Sequence, residues 1–338
     1  MKLARFVKHS VSTSWQVVTP QLMRKAVMRP NMGVTVIRPA RLSALMVVVV
    51  LGCTPESVPS PVSGWDRPFA GALPGTRSRT MTSETTGRTY EISVALPRNY
   101  HTSGDSYPVL YGVDAFGTVV EAARLLRLDK LIPELLIVGV GFTVSSFFDA
   151  SKPRAVDLTP TQDQDWEIEQ AEESPESPAP EGSGGAPEFL QFLRQELIPS
   201  IDAEFRTNPL DRALFGHSFG GLFAIHALLN GEGTFQRFIA GSPSLWWDDD
   251  VTFRHEEAFA AAHAELPARV FFAVGELEEQ DPDLYWGHMV SDLQRFVEAV
   301  KGRQYNGLEF ELHVFEDESH ESVIPATISR GLLYIYQD

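Results

Sequence analysis

Gly216-His217-Ser218-Phe219-Gly220 sets a serine between two glycines, each two positions away. An apolar run ending at Phe215 precedes the motif, and a helix-like run from Leu222 to Leu229 follows it. A serine in that setting is a candidate nucleophile for acyl transfer. A strand-to-helix turn this sharp strains its central residue and would bring side chains two positions away into collision. Glycine at both flanks removes the collision and lifts the hydroxyl above the sheet. The bare spacing arises by chance in about one chain in ten of this length. The strand and helix signals on either side therefore carry the argument.

A serine hydroxyl is a weak nucleophile and needs a base within hydrogen-bond reach. In doubly wound hydrolases the chain order is serine, acid, histidine, with the last two on loops after later strands. Of nine histidines, His320 follows a strand-like stretch, Leu312-His313-Val314-Phe315, and an acidic loop, Glu316 to Ser319. It also precedes a helical run from Val323 to Tyr336, which is where the base belongs. His217 adjoins the serine, so its side chain should point away. His226 and His313 read as helix-face and strand residues, and His101 and His263 as solvated or structural ones. The acid should follow the apolar strand Val270–Val274, in the loop Gly275-Glu276-Leu277-Glu278-Glu279-Gln280-Asp281. A position three residues after the glycine selects Glu278, with Glu276 as runner-up. The oxyanion donors expected are the backbone N–H of Phe219 and one from the loop Asp114-Ala115-Phe116-Gly117, assigned to Ala115. One such donor is worth about 3 kcal/mol.

These loops need a sheet to hang from. Tyr90 to Leu96 alternates like a strand until Pro97 stops it, Tyr107 to Val113 reads as a buried strand, and Val119 to Leu128 has helical periodicity. Leu135 to Val140 is another apolar strand, and Phe189 to Phe205 an amphipathic helix. Strands recur near Ala213, Phe238, Val270 and Leu312, with helices between or after them. That alternation predicts a single α/β domain, a doubly wound and mostly parallel sheet, over residues 76–338. One segment breaks the pattern. Residues 162–185 hold eight acidic residues, no basic one and several prolines, so the expectation is a disordered surface insertion. A substrate-covering lid, with Trp166 and Ile168 as its apolar handles, is the alternative.

The formal charge of −17 is unevenly spread, because residues 1–52 hold eight basic residues and no acidic one. Without them the chain carries −25, which argues against nucleic acid or an anionic membrane as partner. The single cysteine, Cys53, has no internal disulfide partner. Arg38 and Arg41 precede an apolar run from Leu42 to Leu51, and Gly52-Cys53 follows it. Such a run is too short to span a membrane and fits a secretory signal, which Met32 would open at ordinary length. Val50-Leu51-Gly52-Cys53 resembles a bacterial lipobox, with lipidation at Cys53 after removal of residues 1–52. Residues 53–75, rich in Pro, Ser and Gly, then read as a tether. The expectation is an exported protein of the periplasm or cell envelope, touching membrane only through that lipid. A non-lipidated signal or an uncleaved anchor is the alternative.

Six ordered stretches resemble the esterase-D-like esterases among α/β hydrolases, in the branch of trilactone-siderophore (enterobactin-type) esterases. They are Tyr107-Pro108-Val109-Leu110-Tyr111-Gly112-Val113-Asp114, Arg154 to Thr161, Phe189-Leu190 through Pro199, Arg212 to Gly221, Ser242-Pro243-Ser244-Leu245-Trp246-Trp247, and Ser319-His320-Glu321-Ser322-Val323. The resemblance implies an α/β-hydrolase fold, Ser218 as nucleophile, His320 as base, and a pocket lined by Arg154, Trp246 and Trp247. The competing readings are an Arg154–Asp157 ion pair and core tryptophans. Ala115 stands where relatives often have glycine, and its Cβ would narrow the oxyanion loop. The expected activity is ester hydrolysis through an acyl-enzyme without metal or organic cofactor. The alternatives are acyl transfer to an alcohol on the same frame, and a non-catalytic surface lipoprotein that binds a ligand.

Overall fold

The computed structural model describes residues 75–142, 147–173, 182–279 and 287–337. The leader, Cys53 and the tether expected before residue 75 lie outside these residues. The strands are β1 (Thr76–Thr82), β2 (Thr89–Ala95), β3 (Tyr107–Gly112), β4 (Leu136–Phe142), β5 (Thr207–His217), β6 (Arg237–Gly241), β7 (Glu265–Gly275) and β8 (Asn306–Phe315). They form one sheet in the order β1-β2-β4-β3-β5-β6-β7-β8. β1 and β2 pair antiparallel, as do β2 and β4, and every later pairing is parallel. This is the α/β-hydrolase arrangement the strand and helix signals predict.

The helices are α1 (Phe116–Leu128), α2 (Phe147–Leu158), α3 (Gln164–Glu173), α4 (Ala186–Phe192), α5 (Ile198–Glu204), α6 (Phe219–Asn230), α7 (Trp247–Ala262), α8 (Met289–Arg303) and α9 (Ile324–Tyr336). Parallel strands buried on both faces read as continuous apolar runs, and successive side chains divide between two cores. On β3, Val109 and Tyr111 join the α4, α5, α6 and α8 side with Phe189, Phe223 and Phe296. Leu110 between them joins the α1 and α9 side with Val119, Ile328 and Leu332.

Two local departures have physical causes. The helix expected over Phe189–Phe205 passes through a π turn at Leu193–Leu197, between α4 and α5. Pro199 brings no N–H to the ladder just beyond it, and a wider turn accommodates that loss. The acidic insertion, expected to be disordered, carries α3. Asp163 caps it by accepting the Trp166 N–H at 3.0 Å, and Ser183 donates to Glu167 at 2.6 Å from the far side of the insertion. Its residues 174–181 lie outside the described ones.

Candidate active site

β5 ends at His217 and α6 opens at Phe219, which leaves Ser218 at the corner with φ 60° and ψ −119°. That conformation is strained for any residue with a Cβ. It is held by the surrounding backbone: Ser218 N–H donates to Gly241 O at 2.9 Å, and its carbonyl accepts Leu222 N–H at 2.9 Å. A Cβ on Gly216 would stand 2.1 Å from the Gly220 oxygen, and one on Gly220 would stand 1.9 Å from Asp114 Oδ2. The two glycines are therefore a steric condition of the turn.

The acid and histidine loops meet beside this corner. A 3₁₀ turn at Glu276–Glu279 follows β7 and buries Glu278 completely. Its Oε2 lies 2.7 Å from His320 Nδ1, in the turn between β8 and α9. Its Oε1 accepts two hydrogen bonds of 2.7 Å, from the Ser242 hydroxyl and from Gly275 N–H. A buried carboxylate is tolerated when both oxygens are hydrogen-bonded, and here both are. Glu276, the runner-up, is exposed and accepts Asp317 N–H at 3.2 Å. The two loops approach so closely that a Cβ on Gly275 would lie 2.3 Å from Glu318 O.

Sequence reasoning missed three neighbours. The His217 ring packs on His320, with centroids 4.6 Å apart. Burial drives its pKa well below the ordinary histidine value, and the charges of His320 and Arg154 add to that. His217 is accordingly a neutral wall behind the second imidazole. Ser242 holds the acid, and Ser244 Oγ, almost wholly buried, lies 3.5 Å from Ser218 Oγ. The stretch Ser242-Pro243-Ser244 was visible in the sequence, but nothing in its residue types assigned the two hydroxyls.

Two of the residues expected to line the pocket are held by other groups of the protein. Arg154, on α2, pairs with Asp114 and not with Asp157. Its Nε donates to Asp114 Oδ1 at 2.7 Å, and its terminal nitrogen donates to His217 O at 2.7 Å. Asp114 Oδ2 in turn accepts His217 N–H at 3.0 Å, so the pair grips the elbow backbone on both sides. Asp157 is buried with Arg88 and Tyr90 instead. Trp247 is fully buried and donates Nε1–H to Thr161 O at 3.1 Å, so it backs the site from the core. Trp246 is partly exposed. Phe219 lies 5.2 Å from Trp247, 6.0 Å from Trp246 and 5.8 Å from Trp166 of α3, ring centre to ring centre. Ala115 adopts a left-handed backbone (φ 45°, ψ 35°) at the start of α1, which is the physical reason glycine suits that position.

A family model described as "Putative esterase" matches residues 83–324, which span the elbow and both partner loops. The chain belongs to this esterase family. Over 274 residues it is 31% identical to the ferri-bacillibactin esterase BesA of Bacillus subtilis (strain 168), covering 78% of this chain and 91% of that one. It is 29% identical over 301 residues to the siderophore triacetylfusarinine C esterase of Aspergillus fumigatus, covering 81% and 97%. Among solved structures it is similar to the BES protein from Bacillus cereus. The TM-score there is 0.65 at 29% identity, covering 79% of this chain and 96% of that one. As a member of the family the protein is a carboxylic ester hydrolase.

Proposed function

We propose that the protein is a serine esterase acting through an acyl-enzyme on a small siderophore-class ester. Ser218 Oγ attacks the ester carbonyl carbon and passes its proton to His320 Nε2, the nitrogen left when Nδ1 faces Glu278. The imidazolium then protonates the departing alcohol oxygen as the carbon–oxygen bond breaks, and water repeats the sequence to release the acid. Glu278 fixes the ring and balances its transient charge. The backbone N–H groups of Phe219 and Ala115 receive the oxyanion. Phe219 and Trp246 give the substrate an aromatic surface next to the nucleophile.

The observation that carries this reading is the 2.7 Å contact between His320 Nδ1 and a Glu278 that is wholly buried and held by two further donors. Such a carboxylate orients an imidazole and does little else. The substrate class rests on the named activities of the relatives, ferri-bacillibactin and triacetylfusarinine C ester hydrolysis.

The test is turnover of a small ester panel by the wild type and its Ser218→Ala variant. The panel holds short p-nitrophenyl esters, an acetylated sugar, a feruloyl ester and a trilactone siderophore with and without iron. Activity confined to the wild type and highest on the siderophore is the expected result. Equal rates in the two proteins, with no phosphonate labelling at Ser218, would overturn the mechanism. Preference for another ester would overturn the substrate class alone.

A further inference from the structure

At the other end of the sheet lies a cavity of about 430 Å³ lined by Arg77, Arg98, His101, Arg124 and Arg127. β2 leaves the sheet there, with Ala95 opposite Ile137 at the start of β4 and opposite Thr76 at the start of β1. The catalytic loops follow the carboxyl ends of β5, β7 and β8, so this cleft and the active site occupy opposite ends of the strands.

Only twenty basic residues remain beyond residue 52, and four of them meet here in a body of net charge −25. An acidic field repels anions in general, so a local excess of arginine marks one place where an anion is welcome. The floor is fixed. Arg127 is buried and donates to Ala123 O at 3.1 Å, to Leu135 O at 3.2 Å and to Glu134 at 3.5 Å. Burial lowers its pKa, Glu134 resists, and Arg124 and Arg98 lower it further, which registers the crowding of positive charge. Among the described residues Arg77 and Arg98 make no side-chain ion pair, and Arg98 is exposed. Among the described residues, Glu121, paired with Arg124 at 2.7 Å, and Glu134, which also accepts Arg98 N–H at 3.0 Å, stand beside the cluster.

We propose that this cleft binds a phosphate group, with the guanidinium groups of Arg77 and Arg98 as the principal donors. Planar guanidinium forks match phosphate oxygens two at a time, which separates this chemistry from a diffuse positive surface. The cavity also leaves room for an organic part attached to the phosphate. A free phosphate and a phospholipid headgroup offer the same chemistry to these side chains.

The test uses the full chain and its Arg77→Gln/Arg98→Gln variant at low ionic strength. In one arm inorganic phosphate is titrated and followed by calorimetry. In the other, sedimentation compares vesicles of phosphatidylcholine with and without phosphatidylglycerol. Esterase turnover is measured alongside and should be the same in both proteins, which establishes that the variant is folded. Saturable phosphate binding that the variant weakens at least tenfold supports the site with a free anion. An excess of protein on the anionic vesicles that the variant loses supports it with a headgroup. If the double variant loses turnover, the single Arg98→Glu variant, altered at an exposed position, takes its place with the same expectation. No binding in either arm, or binding that the variants leave unchanged, overturns the proposal.

Discussion

In the proposed mechanism Ser218, His320 and Glu278 divide one reaction into three roles, and each role has its own signature on substitution. Ser218→Ala should lower kcat by about 10⁴-fold or more while circular dichroism and the unfolding midpoint stay put. Glu278→Gln should lower kcat by about 10²- to 10⁴-fold, because an amide N–H₂ turned toward Nδ1 favours the wrong tautomer. Glu276→Gln, on an exposed carboxylate bonded to Asp317 N–H, should stay within about twofold. A larger loss from Glu276 than from Glu278 would reassign the acid. Arg154→Ala separates positioning from binding. If the Arg154–Asp114 pair serves the elbow, kcat should fall roughly 10- to 100-fold with KM within about threefold. A rise in KM alone would return Arg154 to the pocket. The placing of Ser218, Glu278 and His320 just after β5, β7 and β8 could be read from the sequence because the fold fixes the order of those loops. Arg154 could not, since its partner stands 40 residues away while Asp157 is one helical turn along. Proximity in sequence suggested the wrong pair.

The strands and most helices were legible because apolar periodicity reports burial, and burial here is nearly complete along β3, β6 and the carboxyl-end halves of β5 and β7. The strand expected from Ala213 extends back to Thr207, where Asp211 and Arg212 are paired with Arg237 and Asp202. Such pairs let charged residues continue a strand, and they are invisible locally. Helix α3 was missed for a related reason: its hold on the body comes from Trp166, one side chain in an acidic run. Two predictions belong to elements. Gly275→Ala would drive a Cβ into Glu318 O and separate the acid loop from the histidine loop. Turnover should fall by about 10²-fold, with a smaller effect on the unfolding midpoint. On α6, burial lowers the pKa of His226 to about 4. The unfolded chain takes up that proton first, near pH 6.5, so stability should be intact above this pH and decline as pH falls toward 4. The contribution is at most about 3 kcal/mol. Denaturant unfolding of His226→Leu across this range should show a shallower decline than the wild type.

For the molecule as a whole, the alternation of strand and helix signals was enough to predict a doubly wound sheet. It could not say which end of the sheet would collect positive charge. Arg77, Arg98, Arg124 and Arg127 come from three separate elements or their ends, and only the crossing of β1, β2 and α1 brings them together. We propose that the chain is exported and held to the cell envelope by a lipid on Cys53, a reading that rests on the basic, apolar and Gly52-Cys53 succession. Cys53→Ala should then move the protein from the membrane fraction to the soluble fraction with specific activity unchanged. Equal partitioning of the two proteins would count against the anchor.

β6 contributes none of Ser218, Glu278 and His320, yet the tripeptide that follows it touches two of them. Ser242 binds Glu278 and Ser244 approaches Ser218, with only Pro243 between. The spacing of acid and nucleophile is thus gauged across three residues, one of them a ring with its φ already set. Small errors in the turns that end β5 and β7 are referred to this one short rule and do not add up around the site. Replacing Pro243 would loosen the calibration of a centre whose three working side chains were all left in place.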